Sequence, residues 1–352
     1  MTLLLPPDLR IAMVLAGGNA LGAYQAGVFE ALHGAGISLD WIVGTSAGAI
    51  NGAIIAGSAP ADRLSRLTDL WRPEGTGAIA VSAWDDMIDS WRRSSEVIAT
   101  LLGGRRGLFA PLGTALAERP APALYDTTPL VHTLARLVDF DRLNDGAIRY
   151  MAQAVALDTG AEIVFDNRRD RIAPDHVRAS CAMPPAFPPV AIDGVPYVDG
   201  GLSANLPLDA VLADPGDAPL LCIAVDLLPL AGPRAPTLGG LISRTQDLVF
   251  AAQSRRTMVR WQEHYATAQD KAAASVMLVQ LRYADQQDEV AGKALDFSPR
   301  TVRARWDAGL RDGRALVAAL ADGDIPFGRR GLTSTTIAAG QELPAAHTGA
   351  TP

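Results

Sequence analysis

The sequence has few of the residues that mark several classes of protein. Cys181 and Cys222 are its only cysteines, which excludes a disulfide framework. Acidic residues outnumber basic ones, and the net charge of −7 argues against a nucleic-acid-binding protein, which would concentrate basic residues on one surface. The sequence shows no cluster of cysteines and histidines with metal-ligand spacing, so we expect neither a metal nor another cofactor.

The chain also lacks a basic, apolar leader and an obvious membrane span. Its first seven residues have no basic segment and only a short apolar run, so we predict no signal peptide and a cytoplasmic location. Two uncharged stretches, 11–29 and 41–61, are about long enough to cross a bilayer. Both contain polar residues and are dominated by Gly and Ala, which favours buried parts of a globular fold over a membrane hairpin.

A nucleophile elbow is predicted where a short apolar run ends in Gly44-Thr45-Ser46-Ala47-Gly48. This Gly-x-Ser-x-Gly pattern is typical of a sharp turn from strand into helix, which exposes a strained serine at the helix N-terminus. Gly44 and Gly48 suit such a turn because a Cβ atom at either position would collide with neighbouring backbone. In a chain with 33 glycines the motif alone is not specific, so the surrounding sequence has to distinguish a nucleophile elbow from a chance match.

The context is a glycine loop that precedes the elbow. The run 11–15 reads as a buried strand, and a helix is predicted over 20–33. Ser46 follows Gly17 by 29 residues, which is about one strand–loop–helix–strand unit. A right-handed parallel crossover would place the loop and the serine side by side at the carboxyl edge of one sheet.

This arrangement predicts acyl chemistry. Backbone N–H groups of Gly17, Gly18 and Asn19 would point at the serine and form an oxyanion hole. A dinucleotide or phosphate loop is the alternative, because Gly-Gly-x-x-x-Gly is loosely similar to that fingerprint. No acidic residue stands where a ribose contact would be expected, and the second strand leads into Gly-x-Ser-x-Gly, so acyl chemistry is favoured.

The glycine loop, the following residues 23–28 and the elbow together resemble the opening of the patatin-like phospholipases. The resemblance implies a three-layer α/β/α fold with a mostly parallel central sheet, related to the α/β-hydrolases. Two positions depart from the family's loop, which usually has a third glycine where Asn19 stands and a basic residue where Leu21 stands. Asn19 would either permit a left-handed backbone or donate its side-chain amide to the oxyanion.

A second block, from Arg178 to Gly201, also resembles this family. The family's second catalytic residue is the Asp of an Asp-Gly-Gly motif, which implies that Asp199, followed by Gly200 and Gly201, is the base for Ser46. An isolated Asp-Gly-Gly is more typical of a surface turn, but its place behind the elbow favours catalysis.

Histidines after Asp199 do not suit a triad. His264 lies in a long helical stretch and His347 in a Gly/Ala/Thr/Pro-rich tail, whereas a triad histidine belongs on a loop after a strand. We therefore predict a Ser–Asp dyad, since a partly desolvated carboxylate can act as the base alone.

The predicted organisation has four parts. We expect an N-terminal extension over 1–9, a catalytic domain over 10–235, a C-terminal helical region over 236–330 packed on the same domain, and a disordered tail over 331–352. Segments around 250–257 and 297–313 resemble a branch of patatin-like proteins that has an additional C-terminal helical region.

A lid or insertion is predicted over 76–124. Its helical stripe has three interpretations: a lid over an acyl pocket, a helix that rests on a lipid surface, or an ordinary helix packed on the core. The stripe consists of Trp84, Met87, Ile88, Trp91, Ile98 and Leu101.

The resemblance implies a serine acyl hydrolase that cleaves carboxylic esters of lipids, of phospholipase, lysophospholipase or general lipid esterase type. A catalytically weak or inactive lipid- or partner-binding module on the same fold stays open as a second class. We expect a lipid or ester substrate, transient contact with a membrane surface and no nucleic-acid partner. The sequence leaves the oligomeric state open.

Overall fold

The computed structural model describes residues 5–337 except 73–84, 113–122, 233, 268–273, 285 and 287–288, and for 85–92 it describes the main chain alone. Its strands are β1 Arg10–Leu15, β2 Trp41–Thr45, β3 Ala110–Pro111, β4 Tyr125–Asp126, β5 Arg149–Ala156, β6 Glu162–Asp166, β7 Val190–Ile192, β8 Val195–Asp199, β9 Leu220–Asp226, β10 Ser275–Arg282 and β11 Gly331–Ile337. Its helices are α1 Ala23–Gly34, α2 Ala47–Ala56, α3 Arg63–Trp71, α4 Asp85–Gly103, α5 Thr128–Leu137, α6 Phe140–Asn144, α7 Pro174–Ser180, α8 Asp209–Leu212, α9 Leu238–Thr267 and α10 Pro299–Asp322.

Nine of the described strands form one mixed sheet. Its order is β11-β10-β9-β1-β2-β5-β8-β7, with β6 also paired to β5. Neighbours from β11 through to β5 are parallel, whereas β6, β7 and β8 join antiparallel. The predicted mostly parallel central sheet flanked by helices is confirmed. Its central strands are mostly apolar because both faces of a parallel sheet are covered, and every residue of β2 and β9 is buried.

The pairing register of β5 brings the carboxyl ends of two other strands, β2 and β8, together. Gln153 in β5 pairs with Thr45, the last residue of β2, and the next residue, Ala154, pairs with Asp199, the last residue of β8. Strand β6 pairs with β5 over both of these positions. A strand has only two sides, so β2 and β8 occupy the same side of β5 and meet end to end. The residue after β2, Ser46, therefore lies beside Asp199.

The C-terminal part belongs to the same body as the rest of the fold. Strands β10 and β11 extend the central sheet, and α10 packs on α1 with almost no gap. A Cβ atom added to Gly27 would lie 1.9 Å from the Trp306 carbonyl oxygen, and one added to Gly309 would lie 1.9 Å from the Tyr24 carbonyl oxygen. The Tyr24 hydroxyl also donates to Asp312 Oδ2 at 2.6 Å.

Two expectations differ from the structure. The tail predicted to be disordered from Gly331 begins with strand β11, whose residues to Ile337 pair with β10 in parallel. Four consecutive hydroxyl residues, 333–336, gave this segment no buried-strand pattern. Residues 338–352 lie outside the described residues. The helix predicted over 20–33 begins as a 3₁₀ turn at Asn19–Gly22 and becomes α-helical from Ala23 to Gly34.

The predicted lid is described in part. Trp84 and the side chains of Met87, Ile88 and Trp91 lie outside the described residues, as does 113–122. At its described end, α4 buries Val97 and Thr100, while Ile98 and Leu101 are exposed. The described part of the predicted stripe thus faces solvent.

None of the helices within the described ranges combines the length and the apolar content needed to cross a membrane.

Candidate active site

Ser46 stands between β2 and α2 in a strained backbone conformation, with φ 54° and ψ −121°. Such a conformation is rare for residues other than glycine and is typical of functional sites. The two elbow glycines make it sterically feasible: a Cβ atom on Gly44 would lie 2.3 Å from the Gly48 carbonyl group, and one on Gly48 would lie 2.2 Å from the Leu15 carbonyl oxygen. The backbone N–H of Ser46 donates to Ser180 Oγ at 3.0 Å.

Asp199 is buried at the end of β8, with 1% of its surface exposed. Its Oδ1 accepts the Gly201 N–H at 2.7 Å, while Oδ2 is buried without a hydrogen-bond partner among the described residues. Burial raises the pKa of Asp199 to about 7, against the lowering effects of the Gly201 N–H and the Ser46 hydroxyl. The Ser46 hydroxyl is thus close enough to the Asp199 carboxylate to stabilise its charged form.

The glycine loop differs from the prediction at Gly17. Its N–H already donates to the Asn205 carbonyl oxygen at 3.0 Å, and Asn205 Nδ2 donates back to the Gly17 carbonyl oxygen at 3.1 Å. Gly17 therefore has no N–H to offer an oxyanion, although it needs to be glycine, since a Cβ atom there would lie 2.6 Å from Asn205 Oδ1. The N–H groups of Gly18 and Asn19 have no acceptor within the described residues.

Asn19 has φ 51°, so the prediction that this residue accommodates a left-handed backbone is confirmed. Its side chain makes no hydrogen bond to the described residues and borders the cavity beside Ser46. Leu21, at the second departure from the family's loop, is fully buried. A basic residue there would be desolvated, and the apolar side chain avoids that penalty.

A buried network of polar side chains holds the glycine loop from beneath. Gln25 Nε2 donates to the Ala16 carbonyl oxygen at 2.7 Å. Asn51 Nδ2 donates to the Gly22 carbonyl oxygen and to Gln25 Oε1, both at 2.9 Å, and Trp71 Nε1 donates to Asn51 Oδ1 at 2.8 Å. Because each buried polar group has a partner, the network fixes the loop without an unsatisfied donor or acceptor.

A cavity of about 470 Å³ opens beside Ser46 and Asp199, within the range of ligand-binding pockets. Most of its wall is apolar; examples are Ile50, Trp71, Leu108, Phe109, Phe187 and Leu295. No histidine lines it in the part of the chain that the structure describes. Two charged residues also line it, Lys293 and Asp247, and they form a buried ion pair at 2.8 Å.

Three residues at the site were not predicted from the sequence. Ser180 and Asn205 hold the backbone of the elbow and of the glycine loop, as described above. Cys181 lines the cavity, and burial, together with the charge of Asp199, raises its thiol pKa well above the ordinary value. Ser180 and Cys181 belong to the block from Arg178 to Gly201 that resembles the family, and this location could have indicated that they lie near the site. Nothing in the sequence marked Asn205 as a residue of the site.

Comparisons with known proteins identify the family of this chain. A family model described as patatin-like phospholipase matches residues 13–212, more than half of the chain, and a second model described as patatin phospholipase matches residues 241–322. The first model covers the glycine loop, the elbow and Asp199, and the second covers α9 and α10.

Individual relatives are distant. An uncharacterised NTE family protein of Mycobacterium tuberculosis is 28% identical over 214 residues, which are 60% of this chain and 30% of the relative. The lysophospholipase nte1 of Aspergillus terreus is 53% identical over 49 residues, or 14% of this chain and 3% of the relative. The chain thus spans less than a third of the length of these relatives. Among solved structures, VipD from Legionella pneumophila has 13% identity and a TM-score of 0.37, covering 86% of this chain and 67% of that one.

The buried carboxyl predicts a pH-dependent change in stability for Asp199→Asn. Burial raises the pKa in the folded protein from the ordinary 3.8 to about 7. The unfolded chain therefore releases this proton first as pH rises, and the wild-type protein loses stability between about pH 4 and pH 7. Because Asn carries no charge, Asp199→Asn should become more stable than wild type across this window, by up to about 4 kcal/mol above pH 7.

Urea unfolding at a series of pH values measures this difference. Ser46→Ala retains the carboxyl group, so its stability should also fall as pH rises; the fall should extend to a somewhat higher pH, because the hydroxyl that lowers the pKa of Asp199 is lost. A stability difference between Asp199→Asn and wild type that does not change with pH would contradict the burial-driven shift.

Proposed function

The chain belongs to the patatin-like phospholipase family, and from this membership we propose that it is a serine hydrolase that cleaves carboxylic esters of lipids with a Ser46–Asp199 dyad. One observation carries the proposal. The ends of β2 and β8 meet on one side of β5, so a strained serine lies beside a buried carboxyl whose Oδ2 has no hydrogen-bond partner among the described residues. An unsatisfied carboxylate oxygen is costly to bury, and a proton from the serine hydroxyl would satisfy it.

In the proposed mechanism, ionised Asp199 accepts the Ser46 hydroxyl proton as Oγ attacks the ester carbonyl carbon. The N–H groups of Gly18 and Asn19 hold the oxyanion, and the N-terminus of α2 adds its positive dipole. Protonated Asp199 then gives its proton to the leaving alcohol. Water, deprotonated by the same carboxylate, then attacks the carbonyl carbon of the acyl-enzyme. Asp199 gives this proton to Ser46 Oγ as the bond between Oγ and the acyl group breaks, which releases the fatty acid and restores both residues.

The raised pKa of Asp199 supports its role as the base. A carboxylate of ordinary pKa is too weak to take a proton from a serine hydroxyl, whereas a pKa near 7 combines ionisation at neutral pH with greater basicity. The activity should therefore rise with pH through about 7, because the ionised form of Asp199 is the base.

The cavity supports a lipid substrate. Its apolar wall fits an acyl chain. Lys293 donates to Asp247 and to Gln286 Oε1, and because the Asp247 carboxylate balances its charge, it is a poor partner for a phosphate. We propose that the acyl chain occupies the cavity and that the polar part of the substrate stays at its mouth. The Aspergillus terreus relative is named a lysophospholipase, which supports lysophospholipids as one substrate class beside phospholipids and neutral esters.

Paired substitutions test the dyad. Ser46→Ala and Asp199→Asn should each lower kcat/KM by about 10³ to 10⁴, the scale seen when a nucleophile or base is removed from a serine hydrolase. His264→Ala should stay within a few-fold of wild type, because His264 is exposed on α9, where it contacts Trp261 and Tyr265. The measurement is hydrolysis of p-nitrophenyl esters of increasing chain length beside phospholipids and lysophospholipids.

The same panel decides between an enzyme and a lipid-binding module. A wild-type protein that binds lipid but hydrolyses none of these substrates would contradict the proposed activity. A loss of activity in His264→Ala equal to that in Asp199→Asn would instead indicate a triad.

Substitutions at Asn19 separate its two interpretations. Because Asn19 has φ 51° and its own N–H is free for an oxyanion, we expect Asn19→Gly to leave kcat unchanged or higher. Asn19→Val should lower kcat strongly, since a β-branched residue is strained in the left-handed region. If the side-chain amide donates to the oxyanion, Asn19→Gly would instead lose about 10² to 10³ in kcat with little change in KM. Steady-state kinetics of the two correctly folded variants distinguishes these results.

A further inference from the structure

Apolar side chains form a stripe along the solvent side of α9. They recur at the three- and four-residue spacing of one helix face, and each is between 43% and 76% exposed. The opposite face of the helix packs on the body of the protein and buries Asp247, Ala251 and Ser254. Exposed apolar side chains in a contiguous patch mark a surface that contacts another apolar phase. This α9 stripe consists of Leu238, Leu241, Ile242, Leu248 and Val249.

The stripe is continuous with the mouth of the active-site cavity. Val249 belongs to the stripe and also lines the cavity. Leu101 at the end of α4 and Leu124 before β4 are likewise both exposed and part of the cavity wall. Exposed apolar residues therefore lead from the cavity wall to the outer face of α9, with the exposed polar residues Thr245 and Gln246 among them.

We infer that the α9 stripe, together with Leu101 and Leu124, docks on the surface of a lipid aggregate that contains anionic lipid. Substrate then passes from the lipid phase into the cavity along apolar surface and does not cross water. This inference rests on the proposed lipid hydrolase function and adds the surface by which the substrate arrives.

The charges on α9 support a lipid surface as the occupant. Arg255 and Arg256 follow Leu248 and Val249 by seven residues, so they continue the same face, and both are exposed. Within the apolar part, Arg244 is paired with Asp247 at 3.8 Å and donates to the Pro229 carbonyl oxygen at 2.8 Å. Asp247 is also paired with Lys293. The apolar part thus presents no unpaired charge from 238 to 250, and cations stand at one end, as in helices that lie in a membrane interface.

A second copy of the chain is the competing occupant. If a partner subunit covered the stripe, it would also cover Val249 and the entrance that Leu101 and Leu124 border. Such a contact would close the path of the substrate, whereas a lipid surface supplies the substrate at that place.

Vesicle binding tests the inference in the full chain carrying Ser46→Ala, which prevents any hydrolysis of the lipid. The double variant Leu241→Glu/Ile242→Glu places two charges in the stripe, at residues that do not line the cavity. Its partition onto phosphatidylcholine vesicles containing phosphatidylglycerol should fall about tenfold or more, because two apolar side chains are lost from the interface. Leu157→Glu/Val195→Glu is the matched control, since it changes two exposed apolar residues on the β5–β6 and β7–β8 hairpins and should bind as the parent does.

The arginines give a second readout. Arg255→Gln/Arg256→Gln should weaken binding to the anionic vesicles by about fivefold per arginine and leave binding to pure phosphatidylcholine unchanged. A parent protein that does not sediment with vesicles, or a stripe variant that sediments as the parent does, would overturn the inference. A dimer in sedimentation velocity that Leu241→Glu/Ile242→Glu dissociates would also overturn it and would identify a second copy as the occupant.

Activity measurements with Ser46 intact separate this inference from the proposed function. Leu241→Glu/Ile242→Glu should hydrolyse a water-soluble short-chain ester at the wild-type rate and a vesicle substrate about tenfold or more slowly. If the wild-type protein hydrolyses no ester, the proposed function fails, while the vesicle-binding result still decides whether the stripe docks on lipid.

Discussion

The site depends on one constraint: a β-strand has only two sides along which other strands can pair. Strand β6 occupies one side of β5, and β2 and β8 share the other end to end. The carboxyl ends of two strands that run in opposite directions therefore meet at adjacent residues of β5. Ser46 and Asp199 are 153 positions apart in the sequence, and the backbone pairing of the strands is sufficient to place them side by side. Because they lack a Cβ atom, the glycines of the elbow and the loop allow neighbouring backbone to pack closely around the ends of β2 and β8.

The burial of Asp199 links stability to the proposed chemistry. Removing the carboxyl group from water disfavours its charged form, which destabilises the folded protein at neutral pH and at the same time makes the carboxylate a stronger base. The strained backbone of Ser46 also destabilises the folded protein, and the packing of the surrounding sheet and helices compensates for this energetic cost. The close contact of α10 with α1 and the extension of the sheet by β10 and β11 show that the C-terminal region contributes to that framework.

Local patterns in the sequence predicted the elements of the site and the adjacency of the glycine loop and Ser46, whereas the pairing of Ser46 with Asp199 came only from the family resemblance. The apolar run before Gly44 and the spacing from Gly17 to Ser46 indicate a parallel pair of strands, and β1 and β2 are such a pair. The residue pattern of β8 does not show that this strand runs antiparallel to β5 or that its last residue, Asp199, pairs with Ala154 of β5. The register between distant segments depends on tertiary packing. For the same reason, the hydrogen bond that occupies the Gly17 N–H was missed: its acceptor, Asn205, is distant in sequence.

The central claim is that Ser46 is a nucleophile activated by Asp199, without a histidine. Covalent labelling with a fluorophosphonate, followed by peptide mapping at a series of pH values, tests it most directly. We expect one labelled residue, Ser46. Its labelling rate should rise with pH through about 7 as Asp199 ionises and should lose this dependence in Asp199→Asn. Labelling at another residue, or a rate in Asp199→Asn equal to that of the wild-type protein, would contradict it.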